Sequence, residues 1–302
     1  MTLTESYERC RRLNARHGRS FYLATLLLPA WKRRHVHALY GLTRYADEIV
    51  DDMGSTATVA ERERALGSFA DAFFAALDGG PVRDPLLPAV VHTVRAFDIS
   101  RKVFETFFRA MAMDLTVTRY ATYDDTLSYM EGSAAVIGEM TLPILEPLDA
   151  TALEPARQLG FAFQLTNFLR DVGEDLARGR VDLPVEDLSR FGVDVTDLAA
   201  PRASDAVREL LAFEVARARA HYVAAQPGID LLAPSSRPCV RAAHDLYGGI
   251  LREIERADFQ ILHRRVAVGN GTRLALFARA HRAARRAHRA ELRGGSGSPG
   301  DR

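Results

Sequence analysis

The apolar residues of this chain recur almost everywhere at the three- and four-residue spacing of a helix, and the alternation typical of strands is scarce. Prolines sit at the edges of these periodic segments, and none occurs within residues 30–80 or 89–142, so long uninterrupted helices fit there. Ser100, Thr122 and Ser204 stand directly before helical runs, where they serve as N-caps. The pattern predicts an all-α chain with helices over residues 4–17, 20–27, 30–53, 58–78, 84–96, 101–119, 123–146, 150–177, 204–225, 236–268 and 272–291.

Two segments depart from the helical pattern. Residues 179–202 are richer in Gly, Pro and Asp, which predicts a loop with short turns. Residues 294–302 combine Gly, Ser and Pro with charges, which predicts a disordered tail. We therefore expect a single all-α domain over residues 1–293, followed by this tail.

Composition narrows the class of protein. The chain has 302 residues, 47% of them hydrophobic, which is enough for a sizeable core. Its 40 basic and 39 acidic residues leave a net charge of +1, which gives no support for nucleic-acid binding. Cys10 and Cys239 lie far apart and outside any metal-ligand spacing. With no apolar leader and no apolar run near the roughly 18 residues of a membrane span, we expect a reduced, cytoplasmic protein.

Two acidic motifs carry the candidate chemistry. Asp47 and Asp51 are four residues apart, and so are Asp171 and Asp175. On a helix, residues at this spacing share one face, where like charges destabilise the helix unless a cation joins them. Both pairs lie in largely apolar segments, where unpaired charge is costly. The alternative for either pair is a solvated acidic face.

The surroundings of the acids favour magnesium and a diphosphate. Magnesium takes one or two carboxylates, keeps waters and completes its shell with phosphate oxygens. Arg44 and Arg170 stand beside the two motifs and suit bidentate phosphate binding. Gln164 and Asn167 continue the face of the second motif, and the amide oxygen of Asn167 is a further candidate ligand. The alternative for these amides is a polar seam between packed helices.

At these residues the sequence resembles the phytoene and squalene synthases, and most closely the bacterial phytoene synthases. The resemblance covers roughly residues 5 to 268. Its first signature is carried by His17-Gly18-Arg19-Ser20-Phe21, Leu28-Pro29, Arg33, Tyr40, Arg44 and Asp47-Glu48-Ile49-Val50-Asp51-Asp52. Its second is carried by Gln164-Leu165-Thr166-Asn167-Phe168-Leu169-Arg170-Asp171-Val172-Gly173-Glu174-Asp175. Further matches are Tyr129 with Ser133-Ala134-Ala135-Val136-Ile137-Gly138, Tyr247-Gly248-Gly249-Ile250-Leu251 and Leu262-His263-Arg264-Arg265-Val266.

The resemblance implies the isoprenoid synthase fold, a single helical bundle around a central active-site cavity. It implies that two or three Mg²⁺ ions, or Mn²⁺ in their place, bind with the substrate diphosphate at Asp47, Asp51, Asn167, Asp171 and Asp175. It places Ser20, Arg44, Tyr247 and Arg265 at the diphosphate, and Tyr40 and Tyr129 in the reaction cavity.

The implied reaction is the head-to-head condensation of two prenyl diphosphates, the first step of carotenoid synthesis. One diphosphate ionises, and the double bond of the second substrate captures the allyl cation to give a cyclopropyl diphosphate. This intermediate ionises, rearranges and loses a proton to give phytoene, with no NADPH. The alternatives are a farnesyl diphosphate-using squalene, hydroxysqualene or dehydrosqualene synthase, a single-substrate terpene cyclase, and a non-catalytic helical scaffold.

Aromatic and small residues near the motifs have two interpretations each. Phe21, Tyr40 and Tyr129 could stabilise a carbocation through their ring faces, or they could be ordinary core residues. Ala134 and Gly138 could leave room for a prenyl chain, or they could allow two helices to pack closely.

Two further features stay unexplained by the motifs. Residues 182–184 read Asp182-Leu183-Pro184, where the family usually has Tyr-Leu-Pro. Residues 273–293 are strongly basic, which predicts either peripheral contact with the inner face of an anionic membrane or a solvated terminal helix. No feature of the sequence assigns an oligomeric state.

Overall fold

Side chains that cap the first turn set many of the helix starts. Thr122 accepts a hydrogen bond from the backbone N–H of Asp125, whose carboxylate accepts the N–H of Thr122 in return. The predicted caps Ser100 and Ser204 also accept backbone N–H groups of their first turns. All three predicted N-caps are therefore confirmed.

The computed structural model describes residues 2–51 and 56–294, and it describes the side chains of all these except residues 19, 20 and 292–294. The α-helices of these residues are α1 (Leu3–His17), α2 (Arg19–Thr25), α3 (Ala30–Asp51), α4 (Val59–Leu77), α5 (Leu87–Ala96), α6 (Arg101–Met113), α7 (Tyr123–Met130), α8 (Val136–Thr141), α9 (Leu153–Ala177), α10 (Val185–Arg190), α11 (Val195–Leu198), α12 (Asp205–Asp230), α13 (Arg237–Arg256) and α14 (Asn270–Gly294). The described residues form no β-strand and only two isolated bridges. The predicted tail lies outside them, apart from Gly294.

Some predicted helix boundaries are wrong. The helix predicted over residues 236–268 ends at Arg256, because Asp258 and Phe259 adopt left-handed conformations with φ of 50° and 57°. The helix predicted over residues 101–119 ends at Met113, where the chain turns at Asp114. The helix predicted over 84–96 begins only at Leu87.

Other predicted helices differ in continuity. The one predicted over residues 123–146 is divided, because a π-helix at Glu131–Ala135 separates α7 from α8 and a 3₁₀ turn at Leu142–Leu145 follows. The one predicted over 204–225 continues through Pro227 to Asp230. The predicted loop at 179–202 contains the two short helices α10 and α11.

Two buried clusters of apolar side chains form the core. The first is built largely from α1 and from α3 to α6, with Phe73 and Phe104 among its fully buried members. The second is built largely from α9, α12 and α13, with Leu169 and Leu210 fully buried. Phe163 packs against both clusters, so the two cores meet along α9. No helix in the described part of the chain has the length and apolar character needed to span a bilayer.

Candidate active site

A cavity of about 480 Å³ lies where the two cores meet. It runs beside α3 from Asp47 to Val36, roughly 16 Å at the rise of a helix, and beside α9 from Asn167 to Pro155, roughly 18 Å. One end is polar, and the other is lined by apolar side chains such as Leu142. The predicted site residues that line it are Phe21, Tyr40, Arg44, Asp47, Tyr129, Ala134, Gly138, Gln164, Asn167 and Tyr247.

The first acidic motif lies at the polar end, on the last turns of α3. The Arg44 guanidinium donates to Asp47 at 2.5 Å and to Glu48 at 3.1 Å. Asp51 is exposed one turn further on, next to the undescribed residues. Loss of water contact and the Asp51 carboxylate raise the pKa of Asp47 to about 6. Arg44, which is shared between Asp47 and Glu48, offsets only part of this shift.

The second acidic motif lies on α9, beyond the cavity residue Asn167. Asp171 accepts a bidentate pair from Arg170 at 2.8 and 2.5 Å, and Nε of Arg265 approaches it at 2.9 Å. Asp175 turns instead toward Asp182, and the two carboxyl groups are within hydrogen-bonding contact. Burial and the Asp182 carboxylate raise the pKa of Asp175 to about 7.

These residues suit divalent ions. Burial and, after it, a neighbouring carboxylate raise the pKa of Asp47 and of Asp175, and a bound cation would oppose that shift. The amide oxygen of Asn167 is buried without a hydrogen-bond partner. No group of three or more His, Cys, Asp or Glu side chains converges on one point among the described residues. Magnesium, which needs only one or two carboxylates beside water and phosphate oxygens, matches such pairs.

Aromatic rings form much of the cavity wall. Phe21 stacks on Tyr40 with ring centroids 5.7 Å apart, and Phe163 packs against Tyr247 at 4.5 Å. Burial is the main reason that the pKa of Tyr40 rises to about 12, so its hydroxyl stays protonated at neutral pH. The rings that were predicted either to face a carbocation or to fill a core therefore line the cavity itself.

The small residues on the opposite wall allow close helix packing. A Cβ atom on Gly138 would lie 2.4 Å from the carbonyl oxygen of Ala156, and one on Gly160 would lie 2.4 Å from that of Ala134. Close contact with α9 therefore requires glycine at both positions. Ala134 and Gly138 also border the cavity, and room for a prenyl chain beside them stays a prediction.

The remaining predicted residues lie outside the cavity wall. Arg170 and Arg265 hold Asp171, and the three side chains form one cluster next to Asn167 along α9. The backbone of Ser20 belongs to α2, but its side chain lies outside the described residues.

The sequence patterns missed a second polar group at the cavity wall. Asp114 lines the cavity and accepts the Tyr129 hydroxyl at 3.0 Å. Arg180 donates to Asp114 at 2.6 Å and to Asp182 at 2.8 Å. Burial raises the pKa of Asp114, and the Arg180 guanidinium opposes that shift. The only signal in the sequence was the acid at position 182, because Asp114 lies in no motif.

Comparison with known proteins identifies the family. The family model described as squalene/phytoene synthase matches residues 14–272. The chain is 36% identical to a phytoene synthase of Arthrospira platensis over 280 residues, 88% of this chain and 89% of that protein. It is 37% identical to the 15-cis-phytoene synthase of a Synechocystis species over 284 residues, 88% of this chain and 82% of that protein.

The fold has a solved counterpart. A crystal structure of a dehydrosqualene synthase in complex with a ligand matches with a TM-score of 0.85 and 25% identity, covering 94% of this chain and 98% of that one. The predicted isoprenoid synthase fold is thereby confirmed. This chain belongs to the squalene/phytoene synthase family of prenyltransferase-type enzymes.

Proposed function

We propose that this chain joins two molecules of geranylgeranyl diphosphate head to head to give phytoene, without NADPH. The observation that supports the proposal is a cavity lined by aromatic and aliphatic side chains, whose wall includes Asp47 of the first motif and Asn167, one turn before Asp171 of the second. The names of the relatives at 36% and 37% identity, a phytoene synthase and a 15-cis-phytoene synthase, support the choice of product.

The polar end would bind the diphosphates. Arg44 and Arg170 are now paired with Asp47 and Asp171, so each guanidinium already lies within reach of the motif it would serve. A guanidinium presents two parallel N–H groups that match a phosphate edge. Two further predicted residues lie close to this pair of arginine and acid on α9. Arg265 contacts Asp171, and the Tyr247 hydroxyl faces Arg170.

Two or three magnesium ions would be held by Asp47 and Asp51 on α3 and by Asn167, Asp171 and Asp175 on α9. When bound, they would supply the positive charge that makes diphosphate a good leaving group. The residues of the chain would do the rest: they orient the allylic carbons and keep water from the cations.

The apolar wall would protect the carbocations. Once one diphosphate leaves, the double bond of the second substrate captures the allyl cation, and loss of a proton closes the ring of a cyclopropyl diphosphate. Its ionisation, rearrangement and loss of a proton complete the hydrocarbon. Phe21, Tyr40 and Tyr129 present rings toward this space, where a ring face attracts a cation by about 0.5–2 kcal/mol.

A second candidate is the condensation of two farnesyl diphosphates to a C30 hydrocarbon. The likeness to a dehydrosqualene synthase, with 25% identity over nearly the whole chain, favours it. Both candidates use the same polar end, so the length of the cavity beyond it must distinguish them.

The basic helix α14 would bring the enzyme to an anionic membrane surface. Its apolar residues Phe277 and Ala284 pack on the protein core, so they are not free to insert into lipid. The exposed side carries the arginines Arg282, Arg285, Arg286 and Arg289. Leu274 is 73% exposed, so contact would combine this one apolar side chain with electrostatic attraction worth about 1 kcal/mol per arginine near an anionic surface. Vesicle binding that requires anionic lipid and weakens in Arg285→Glu/Arg289→Glu would support this, and equal binding to neutral vesicles would contradict it.

Product analysis tests the proposed reaction. Purified protein is incubated with Mg²⁺ and either geranylgeranyl or farnesyl diphosphate, without NADPH, and the organic extract is analysed by mass spectrometry. A C40 hydrocarbon from the first substrate supports phytoene synthesis. A C30 product from the second alone supports the second candidate, and a C20 product would indicate a cyclase.

A further inference from the structure

The side chain of Arg180 bridges two carboxylates on opposite sides. Its Nη2 atom donates to Asp114 at 2.6 Å on the cavity side, and its Nε atom donates to Asp182 at 2.8 Å on the other. All three side chains are largely buried, with 20%, 11% and 6% of the Arg180, Asp114 and Asp182 side chains exposed. Charge-assisted hydrogen bonds in such surroundings are strong and directional.

The cavity end of this bridge is the Tyr129 hydroxyl. Asp114 uses one carboxylate oxygen for Arg180 and the other for Tyr129, which donates to it at 3.0 Å. The guanidinium carbon of Arg180 also lies 5.6 Å from the centre of the Tyr129 ring. Because the hydroxyl proton points to Asp114, the lone pairs of the Tyr129 oxygen stay free to face the cavity.

The far end of the bridge is held firmly. The segment that carries Asp182 is pinned to the chain after α6 by two backbone hydrogen bonds, from Val181 N–H to Thr118 at 3.0 Å and from Val185 N–H to Tyr120 at 2.9 Å. Asp182 is therefore a fixed point, whereas Arg180 has a long side chain that needs an anchor to keep one geometry.

We propose that Asp182 is a positioning residue, which anchors Arg180 so that Asp114 holds the Tyr129 hydroxyl in the orientation that the cavity requires. The proposal rests on the proposed function for its kinetic consequence only. An acid at position 182 does here what the aromatic residue usual in the family cannot do, since a phenol brings no negative charge to Nε of Arg180.

The kinetic test uses Asp182→Asn, which keeps the shape of the side chain and removes its charge. Loss of a charge-assisted hydrogen bond should lower kcat about tenfold, with KM within about twofold, because Arg180 contacts no predicted substrate-binding residue. Asp182 also faces Asp175, so a changed dependence of the rate on Mg²⁺ concentration would show an effect through that carboxylate and would count against the proposal. Asp187→Asn is the matched control: Asp187 is also buried and pairs with Arg217 at 2.7 Å, but it has no link to Tyr129. The kcat of Asp187→Asn should stay within about twofold of that of the unmodified enzyme.

A double-mutant cycle shows whether the effect passes through Tyr129. In a Tyr129→Phe background, Asp182→Asn should cause no further loss, because the hydroxyl that it orients is gone. A purely structural role for Asp182 would instead give independent, multiplying effects, and that result would overturn the proposal. Arg180→Lys keeps the charge but cannot span both carboxylates, so its kcat should fall as that of Asp182→Asn does. It replaces Asp182→Asn in the cycle if that variant folds poorly.

A second readout needs no activity. Tyrosine labelled with carbon-13 at the ζ position gives one signal for each of the nine tyrosines, and Tyr129→Phe identifies the one from Tyr129. That signal should move in Asp182→Asn and stay in place in Asp187→Asn. An unmoved signal would refute the positioning role even in an enzyme that proved inactive, whereas a moved signal without product would count against the proposed function alone.

Discussion

Gly160 on α9 packs so tightly against Ala134 in the π-helix that a methyl group on the glycine would lie 2.4 Å from the alanine carbonyl oxygen. This contact fixes the distance between the two walls of the cavity. It also fixes the register of Gln164 and Asn167, which lie one and two turns further along α9 and face the cavity.

We expect Gly160→Ala to destabilise the fold by about 1–3 kcal/mol, because backbone rather than a flexible side chain must give way. Gly67→Ala is the control: Gly67 lies inside α4, and a Cβ there meets nothing within 4 Å. Alanine should stabilise that helix by about 0.5–1 kcal/mol. Urea unfolding measures both changes, and an equal effect of the two substitutions would contradict the packing described here.

The acid pairs can be tested singly. Asp171→Asn should lower product formation at least about a hundredfold, since an amide cannot neutralise a metal ion and leaves Arg170 and Arg265 without their partner. Asp71→Asn on the exposed face of α4 should leave the rate unchanged. Activity retained in Asp171→Asn would revive the interpretation of this chain as a non-catalytic scaffold.

The dependence of stability on pH follows from Asp175. Its pKa is about 7 in the folded protein against an ordinary value of 3.8, so the folded state binds the proton more tightly than the unfolded state does. The free energy of unfolding should therefore fall as pH rises from about 4 to about 7 and level off above. Asp47, with a pKa of about 6, contributes in the same direction.

Melting curves of metal-free protein at pH 5.5 and 7.5 measure this slope, and Asp175→Asn should reduce it. Glu214, whose pKa burial raises to about 7 away from the cavity, supplies a slope that Asp175→Asn leaves in place. Mg²⁺ with inorganic diphosphate should raise the melting temperature more at pH 7.5 than at pH 5.5, since it binds ionised carboxylates. Equal stabilisation at the two pH values would argue against carboxylate ligands.

The apolar end of the cavity should set the length of the accepted chain. Ala152 lies there, only 1% exposed, and a phenylalanine at this position would project into the space that a longer prenyl chain needs. Ala152→Phe should therefore lower the rate with geranylgeranyl diphosphate and raise the relative rate with farnesyl diphosphate. Ala72→Phe, on the exposed side of α4, controls for the bulk of the new side chain. An unchanged ratio of the two rates would show that chain length is selected elsewhere.

Local patterns were sufficient to predict part of this site. The acid pairs and their arginines are close in sequence and share helix faces, so Asp47, Arg44, Asp171 and Arg170 could be grouped without a structure. The end of α13 at Arg256 was missed, because left-handed residues that are not glycine leave little trace in a sequence.

Long-range contacts account for what remained hidden. Asp114 and Arg180 are 66 residues apart, and their pairing depends on how the segment after α9 docks on the chain after α6. The π-helix was equally invisible, since it changes the register of a helix without interrupting its apolar pattern. Among the residues of the Asp114–Arg180–Asp182 bridge, only Asp182 departed from the usual family pattern in the sequence.

Isotope mixing tests most directly the claim that two prenyl diphosphates are joined in one cavity. Equal amounts of unlabelled and fully deuterated geranylgeranyl diphosphate are supplied together with Mg²⁺ and no NADPH. We predict a C40 hydrocarbon with three mass peaks, of which the peak of the mixed species is the most intense. A product that shows only the two unmixed masses at C20, or no hydrocarbon from this substrate, would contradict it.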